Sequence, residues 1–120
     1  MISAETARRF ATEWIEAWNR HDLDLILSHY SEDVVFTSPF AVQLLSAPDG
    51  MVRGLPALRK YFELGLAAYP DLRFTLHHVA VGVDSLTLIY QSVKGMLAAE
   101  TMVLDERSKV TRVMAQYEPA

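Results

Sequence analysis

The apolar positions of this chain change their period once, from helical spacing before Pro70 to strand alternation after it. Ala7, Phe10, Ala11, Trp14, Ile15 and Trp18 recur three and four residues apart, which puts them on one face of a helix running to about Asn19. Ser3 can cap that helix, and Glu5 sits in the first turn, where the helix dipole favours negative charge. Asn19-Arg20-His21 turns the chain. Asp22 then caps a short second helix whose apolar face is Leu23, Ile26, Leu27 and Tyr30. Val34-Val35-Phe36-Thr37 is a short strand, ended by Ser38-Pro39. Residues 39–54 form a long connection carrying Phe40, Val42, Leu44 and Leu45. A loop with that much apolar surface covers a site or meets a partner. Pro56 suits the first turn of a third helix, which continues through Leu58, Tyr61, Phe62 and Leu66 until Pro70 stops it.

Beyond Pro70 the alternation predicts strands near 72–83, 86–94, 96–105 and 109–118, broken at Asp84-Ser85, Gly95 and Glu106-Arg107-Ser108. Three helices followed by an antiparallel meander describe an α+β fold in which a curved sheet wraps the helices. The first helix would close the wide end of the resulting cone. No repeat or linker divides the chain, and its 120 residues suit one domain, 1–120.

Composition narrows the function classes. Half of the residues are hydrophobic (51%) and 22% are charged, with no long apolar run, so no membrane span is expected. The start, MISAETARRF, lacks the apolar stretch of a secretory signal, which makes cytoplasm the expected compartment. Cysteine is absent, so disulfides, thiolate metal sites and a cysteine nucleophile are excluded. Net charge is −4 and the basic residues are scattered, which argues against nucleic acid as a partner. There is no G-x-S-x-G elbow, phosphate-binding loop or dinucleotide glycine motif, and no cofactor is expected.

Among candidate chemical groups, Glu100 stands out. Strand alternation places it with Ala98, Met102 and Leu104, so the carboxylate either enters the interior or breaks the pattern at a solvated edge. Buried and unpaired, it would titrate above the usual carboxylate range. Trp14 and Trp18, one helical turn apart, belong to the core or to the floor or wall of a cavity. His77 and His78 are adjacent on a strand and point to opposite faces, so they cannot chelate one ion together, and no metal site is expected. His78 shares parity with Phe74 and Leu76, which gives it a route to the interior. His21 falls in a solvated connection, and His29 borders the apolar face of the second helix.

The runs Ala17-Trp18-Asn19-Arg20-His21-Asp22-Leu23-Asp24 and Tyr30-Ser31-Glu32-Asp33-Val34-Val35-Phe36, with Gly54-Leu55-Pro56-Ala57-Leu58 before Tyr61-Phe62, resemble the nuclear transport factor 2-like superfamily. Within it, the chain resembles the SnoaL-like polyketide cyclases and ketosteroid isomerases. The resemblance implies a cone-shaped, cystatin-like fold around a pocket, and a homodimer paired through the outer sheet face. It implies further lining residues in Tyr30, Phe36, Phe62, Met102 and Tyr117, with Phe40 on a lid, a set that suits a small, flat hydrophobic molecule. The isomerase base falls on Ser38, its phenolic donor on Trp14, and its neutral carboxylic donor on Glu100. One group of three is kept in kind, so the usual steroid isomerisation is not expected. The functions implied are a cofactor-free isomerase, cyclase or dehydratase acting on a carbonyl compound through Glu100, with Ser38 and Trp14 as polar contacts. The alternative is a hydrophobic-ligand carrier or dimeric interaction domain without chemistry.

Overall fold

The computed structural model describes residues 1–119. Helix α1, Ala4–Asn19, begins at Ser3, whose hydroxyl accepts from the Thr6 backbone N–H at 3.0 Å. Its apolar face is buried as the spacing requires: Ala7, Ala11, Ala17 and Trp14 are essentially inaccessible. His21 closes the turn in the left-handed region, at φ 54. Helix α2, Leu23–Leu27, is capped by Asp22, which accepts from Leu25 N–H at 3.1 Å.

Tyr30, expected on the second helix, instead opens strand β1, Tyr30–Thr37, twice the length of the four-residue strand anticipated at 34–37. The register to its neighbour shifts between Tyr30 and Val35, and the polar run Ser31-Glu32-Asp33 fills that irregularity, so no alternation marks the first half of the strand. The connection from 39 to 54 is also structured. It holds α3, Pro39–Leu44, and a three-residue strand β2, Met51–Arg53, paired antiparallel to β1. Ser38 caps α3 through its hydroxyl, which accepts from Phe40 N–H at 3.2 Å. Helix α4, Leu55–Ala68, turns Leu58, Tyr61 and Phe62 into the interior.

The remaining strands are β3, Thr75–Val81; β4, Ser85–Gln91; β5, Leu97–Leu104; and β6, Val110–Glu118. A single tight turn, Val93–Gly95, separates β4 from β5. The six strands form one sheet in the order β2-β1-β6-β5-β4-β3, with α1 and α4 held against its inner face. The cone architecture is the expected one, with two refinements. A fourth, short helix is present among the described residues, and β1 runs parallel to β6 in a sheet otherwise antiparallel. The parallel pair arises because the chain crosses the whole domain between β1 and β6, which no local pattern records.

Two latches bind the end of α1 to the start of β3. Asn19 Oδ1 accepts from Phe74 N–H at 2.7 Å, while its amide donates to Phe74 O at 3.0 Å. His21, expected in solvent, is half-buried and its Nε2 donates to Leu72 O at 2.8 Å. His78 is exposed, not interior: a bulge between Leu76 and His78 pairs His78 with Ile89 on the outer side of β4. His29 is half-buried with its ring edge against Phe10, at 5.4 Å between centroids.

Candidate functional site

Alternation along β5 buries Ala98, Glu100, Met102 and Leu104 and leaves their neighbours half-buried on the other face. Glu100 therefore enters the cone, where it is 2% exposed. Its Oε1 accepts from the Tyr90 hydroxyl at 2.7 Å. Antiparallel pairing sets this up: Tyr90 lies opposite Ala98 and Leu88 opposite Glu100, so the two side chains are diagonal neighbours on the inner face.

Burial raises the Glu100 carboxyl from its ordinary 4.5 to about 7, with the Tyr90 hydrogen bond working in the opposite direction. The phenols around it move upward as well. Burial is the main cause for Tyr30, Tyr90 and Tyr117, and the Glu100 charge adds to it. Tyr61 is pushed up to about 12 by burial, with the Ser38 hydroxyl opposing. None of these phenols ionises near neutrality; each is a hydrogen-bond donor or a neutral surface.

Above Glu100 lies a narrow slot. Its space outside atoms totals about 530 Å³ with the open mouth included. Ten of its sixteen lining residues are aromatic, and no Lys, Arg or His is among them. Trp14 stacks on Phe74 at 5.9 Å with planes 16° apart, and Trp18 meets Phe62 edge-on at 4.8 Å. At the mouth, Phe40 from α3 packs edge-on against Tyr117 at 4.8 Å.

Of the residues expected at the site, Trp14, Trp18, Phe36, Phe40, Phe62, Glu100 and Tyr117 line this slot together. Tyr30, Ser38 and Met102 do not. Met102 is fully buried one pleat beyond Glu100, in the packed part of the cone. The Tyr30 hydroxyl lies behind the wall and accepts from Trp14 Nε1 at 2.9 Å. That bond consumes the indole N–H, so Trp14 offers a ligand its ring and no donor. Ser38 is buried; its oxygen caps α3, and its hydroxyl also bears on the Tyr61 and Tyr117 phenols. Two polar side-chain atoms buried among the described residues have no protein partner, Trp18 Nε1 and Glu100 Oε2, and both residues line the slot. Leaving such a group unmatched costs about 1–3 kcal/mol. Tyr90, Tyr61, Phe74 and Leu72 were not singled out as site residues. Tyr90 carried a signal, its alternation with Leu86 and Leu88 opposite the strand of Glu100.

Among the described residues no cluster of His, Asp and Glu could hold a metal ion, and no helix is long and apolar enough to cross a membrane. The SnoaL-like domain family matches residues 11–116, nearly the whole chain. The chain belongs to this SnoaL-like family. A SnoaL-like protein of unknown function from Burkholderia thailandensis is 38% identical over 98% of both chains and superimposes with a TM-score of 0.94. The SnoaL-like cone also superimposes on the epoxide hydrolase/cyclase-like enzyme SalBIII of pyran ring formation in salinomycin, at 16% identity, TM-score 0.79, over 98% of this chain and 95% of that one. A ketosteroid isomerase candidate from Kribbella flavida matches at 16% identity, TM-score 0.75, over 97% and 80%. At such identities these two likenesses establish the fold alone. No curated protein matches the chain. The fold also has a cystatin-like counterpart, a protein of unknown function from Methylobium petroleophilum, at TM-score 0.77 and 12% identity, over 99% of this chain and 80% of that one.

Proposed function

We propose that this SnoaL-like protein is a cofactor-free acid/base catalyst for a small, flat, apolar carbonyl compound, with Glu100 as the proton-transferring group. The observation that carries the reading is the carboxyl itself: buried in an aromatic slot, held by Tyr90 through one oxygen, with the other oxygen unpartnered. A carboxyl titrating at about 7 is present in both forms near neutrality, the condition under which general acid/base transfer is most effective. The second unpartnered atom, Trp18 Nε1, is a donor and supplies what a substrate carbonyl accepts. In this scheme Trp18 polarises the carbonyl, ionised Glu100 removes a proton from the adjacent carbon, and the neutral acid returns it at another position. Trp18 replaces Trp14 as the polar contact, because Trp14 is committed to Tyr30.

The test is solvent-deuterium exchange into the activated methylene of β-tetralone, followed by proton NMR. The native protein is expected to accelerate exchange, with a rate that rises as pH passes through about 7 and Glu100 ionises. Glu100→Gln is expected to lose about 100-fold or more of that acceleration while still binding the ketone. Binding of β-tetralone without exchange in the native protein would leave the carrier reading in place of the catalytic one.

A further inference from the structure

The slot places an unpartnered carboxylate oxygen inside an aromatic enclosure that contains no cation. Glu100 Oε2 is buried and makes no hydrogen bond. The titratable side chains that the Glu100 charge reaches are Tyr90 from β4, Tyr61 from α4 and Tyr117 from β6 in the slot, and Tyr30 from β1 behind its wall. All four are neutral at physiological pH, and α1 contributes the indoles of Trp14 and Trp18. Among the residues that line the slot, an ionised Glu100 therefore has no counter-charge; Lys94 lies over the Tyr69 ring, 5.9 Å from its centroid, and is not itself in the lining. Aromatic faces carry negative electrostatic potential, and this strengthens when water is excluded. Carboxylate and ring faces act in the same sense, towards a positively charged guest.

We propose that the slot is a recognition site for small aromatic or alicyclic ammonium ions, the ammonium donating to Glu100 Oε2 and the hydrocarbon body lying between the rings. The selectivity order is cation over neutral over anion, because an anionic group would face both the carboxylate and the negative ring faces without a compensating donor charge. The lining, ten aromatic residues of sixteen, suits a hydrocarbon body that can lie against ring faces. The inference shares Glu100 with the proposed catalysis but needs no turnover, and an ammonium guest would inhibit any reaction there by occupying the same oxygen.

Three probes of one shape separate the charge types: phenethylamine, phenethyl alcohol and phenylacetate, titrated against the intact protein by NMR. At pH 8 the amine is expected to bind at least about tenfold more tightly than the alcohol, in line with close charge pairs at desolvated contacts, and the carboxylate more weakly than either. A primary amine stays protonated to about pH 9, so its affinity should fall about tenfold per pH unit below the titration of Glu100, while the alcohol shows no such trend. Glu100→Gln should bring the amine down to the alcohol. Tyr90→Phe, which removes the bond that favours the charged form, should move the pH midpoint of amine binding upward. Equal affinity for amine and alcohol at pH 8 overturns the proposal, as does an amine preference that survives Glu100→Gln or a midpoint unmoved by Tyr90→Phe. Amine selectivity without β-tetralone exchange removes the catalytic reading only. Exchange without amine selectivity removes this inference only.

Discussion

Glu100 is a carboxyl that the fold removes from water without giving it a cation. Its proton is bound more tightly in the folded chain, at about 7, than in the unfolded chain, at its ordinary 4.5. The sign follows: the stability it contributes is fully present below about 4.5 and is lost as pH rises through about 7, amounting to about 3 kcal/mol at pH 8. Glutamine at this position keeps the shape and can still accept from Tyr90, but it cannot ionise. Glu100→Gln is therefore expected to raise stability at pH 8 by about 1–3 kcal/mol relative to the parent and to leave it unchanged at pH 4, read as the difference in urea midpoints. A parent and variant that keep the same difference at both pH values would show that Glu100 ionises without hindrance. In the sequence this residue was half legible. Alternation put it on the face of Ala98, Met102 and Leu104 but could not say which face was inside. Its partner Tyr90, and the Trp14–Tyr30 bond across 16 residues, depend on sheet register and helix placement, which no short window contains.

Elements long enough to complete two periods, α1, α4 and the four closing strands, were visible in the pattern, whereas α3 and β2 were not. Six residues of helix barely exceed one turn, and three residues of strand show no alternation. What fixes this segment is a closure at Gly50. Its carbonyl accepts from Ser38 N–H at 2.9 Å, its φ is 67, and a Cβ there would stand 3.0 Å from the Ser38 carbonyl oxygen. Gly50→Ala is expected to cost about 1–3 kcal/mol, since both the left-handed backbone and the close approach oppose a side chain. Because Ser38 caps the helix that carries Phe40, the same change should weaken β-tetralone binding at the mouth, measured by NMR titration beside the urea curve. Gly65 gives the contrast: it is helical with nothing within 4 Å of an added Cβ, and Gly65→Ala should not destabilise. Equal losses at both glycines would mean that the closure at Gly50 is not what holds the segment.

At the scale of the whole molecule, the order of periods was enough for the cone, because a few helices followed by a meander leave few ways to bury one face of a sheet. It was not enough for the β1–β6 parallel pair that joins the two ends of the fold. The same alternation that fills the interior with Leu86, Leu88, Tyr90 and Met102 presents the opposite face of the sheet. There Thr87, Ile89, Ala99, Thr101, Val103 and Met114, each half-buried by its neighbours, form an uncharged strip, with the exposed Arg112 opposite Val103 and Gln116 opposite Ala99. We propose that two copies pair through this face. Charged residues in the middle of an outer sheet face oppose such pairing; the six strip positions carry none, and Arg112 stands at the margin of the strip, between Val103 and Val35 of β1. Ala99 lies opposite Gln116 on one side and Ile89 on the other, near the centre of the surface. Ala99→Arg would place two like charges against each other across a two-fold interface, where each lacks a partner. Light scattering coupled to size exclusion is expected to give a dimer for the native chain and a monomer for the variant, with β-tetralone binding retained because the slot opens on the other face. A native chain that stays monomeric at high concentration would mean that this face is only the solvated back of the pocket.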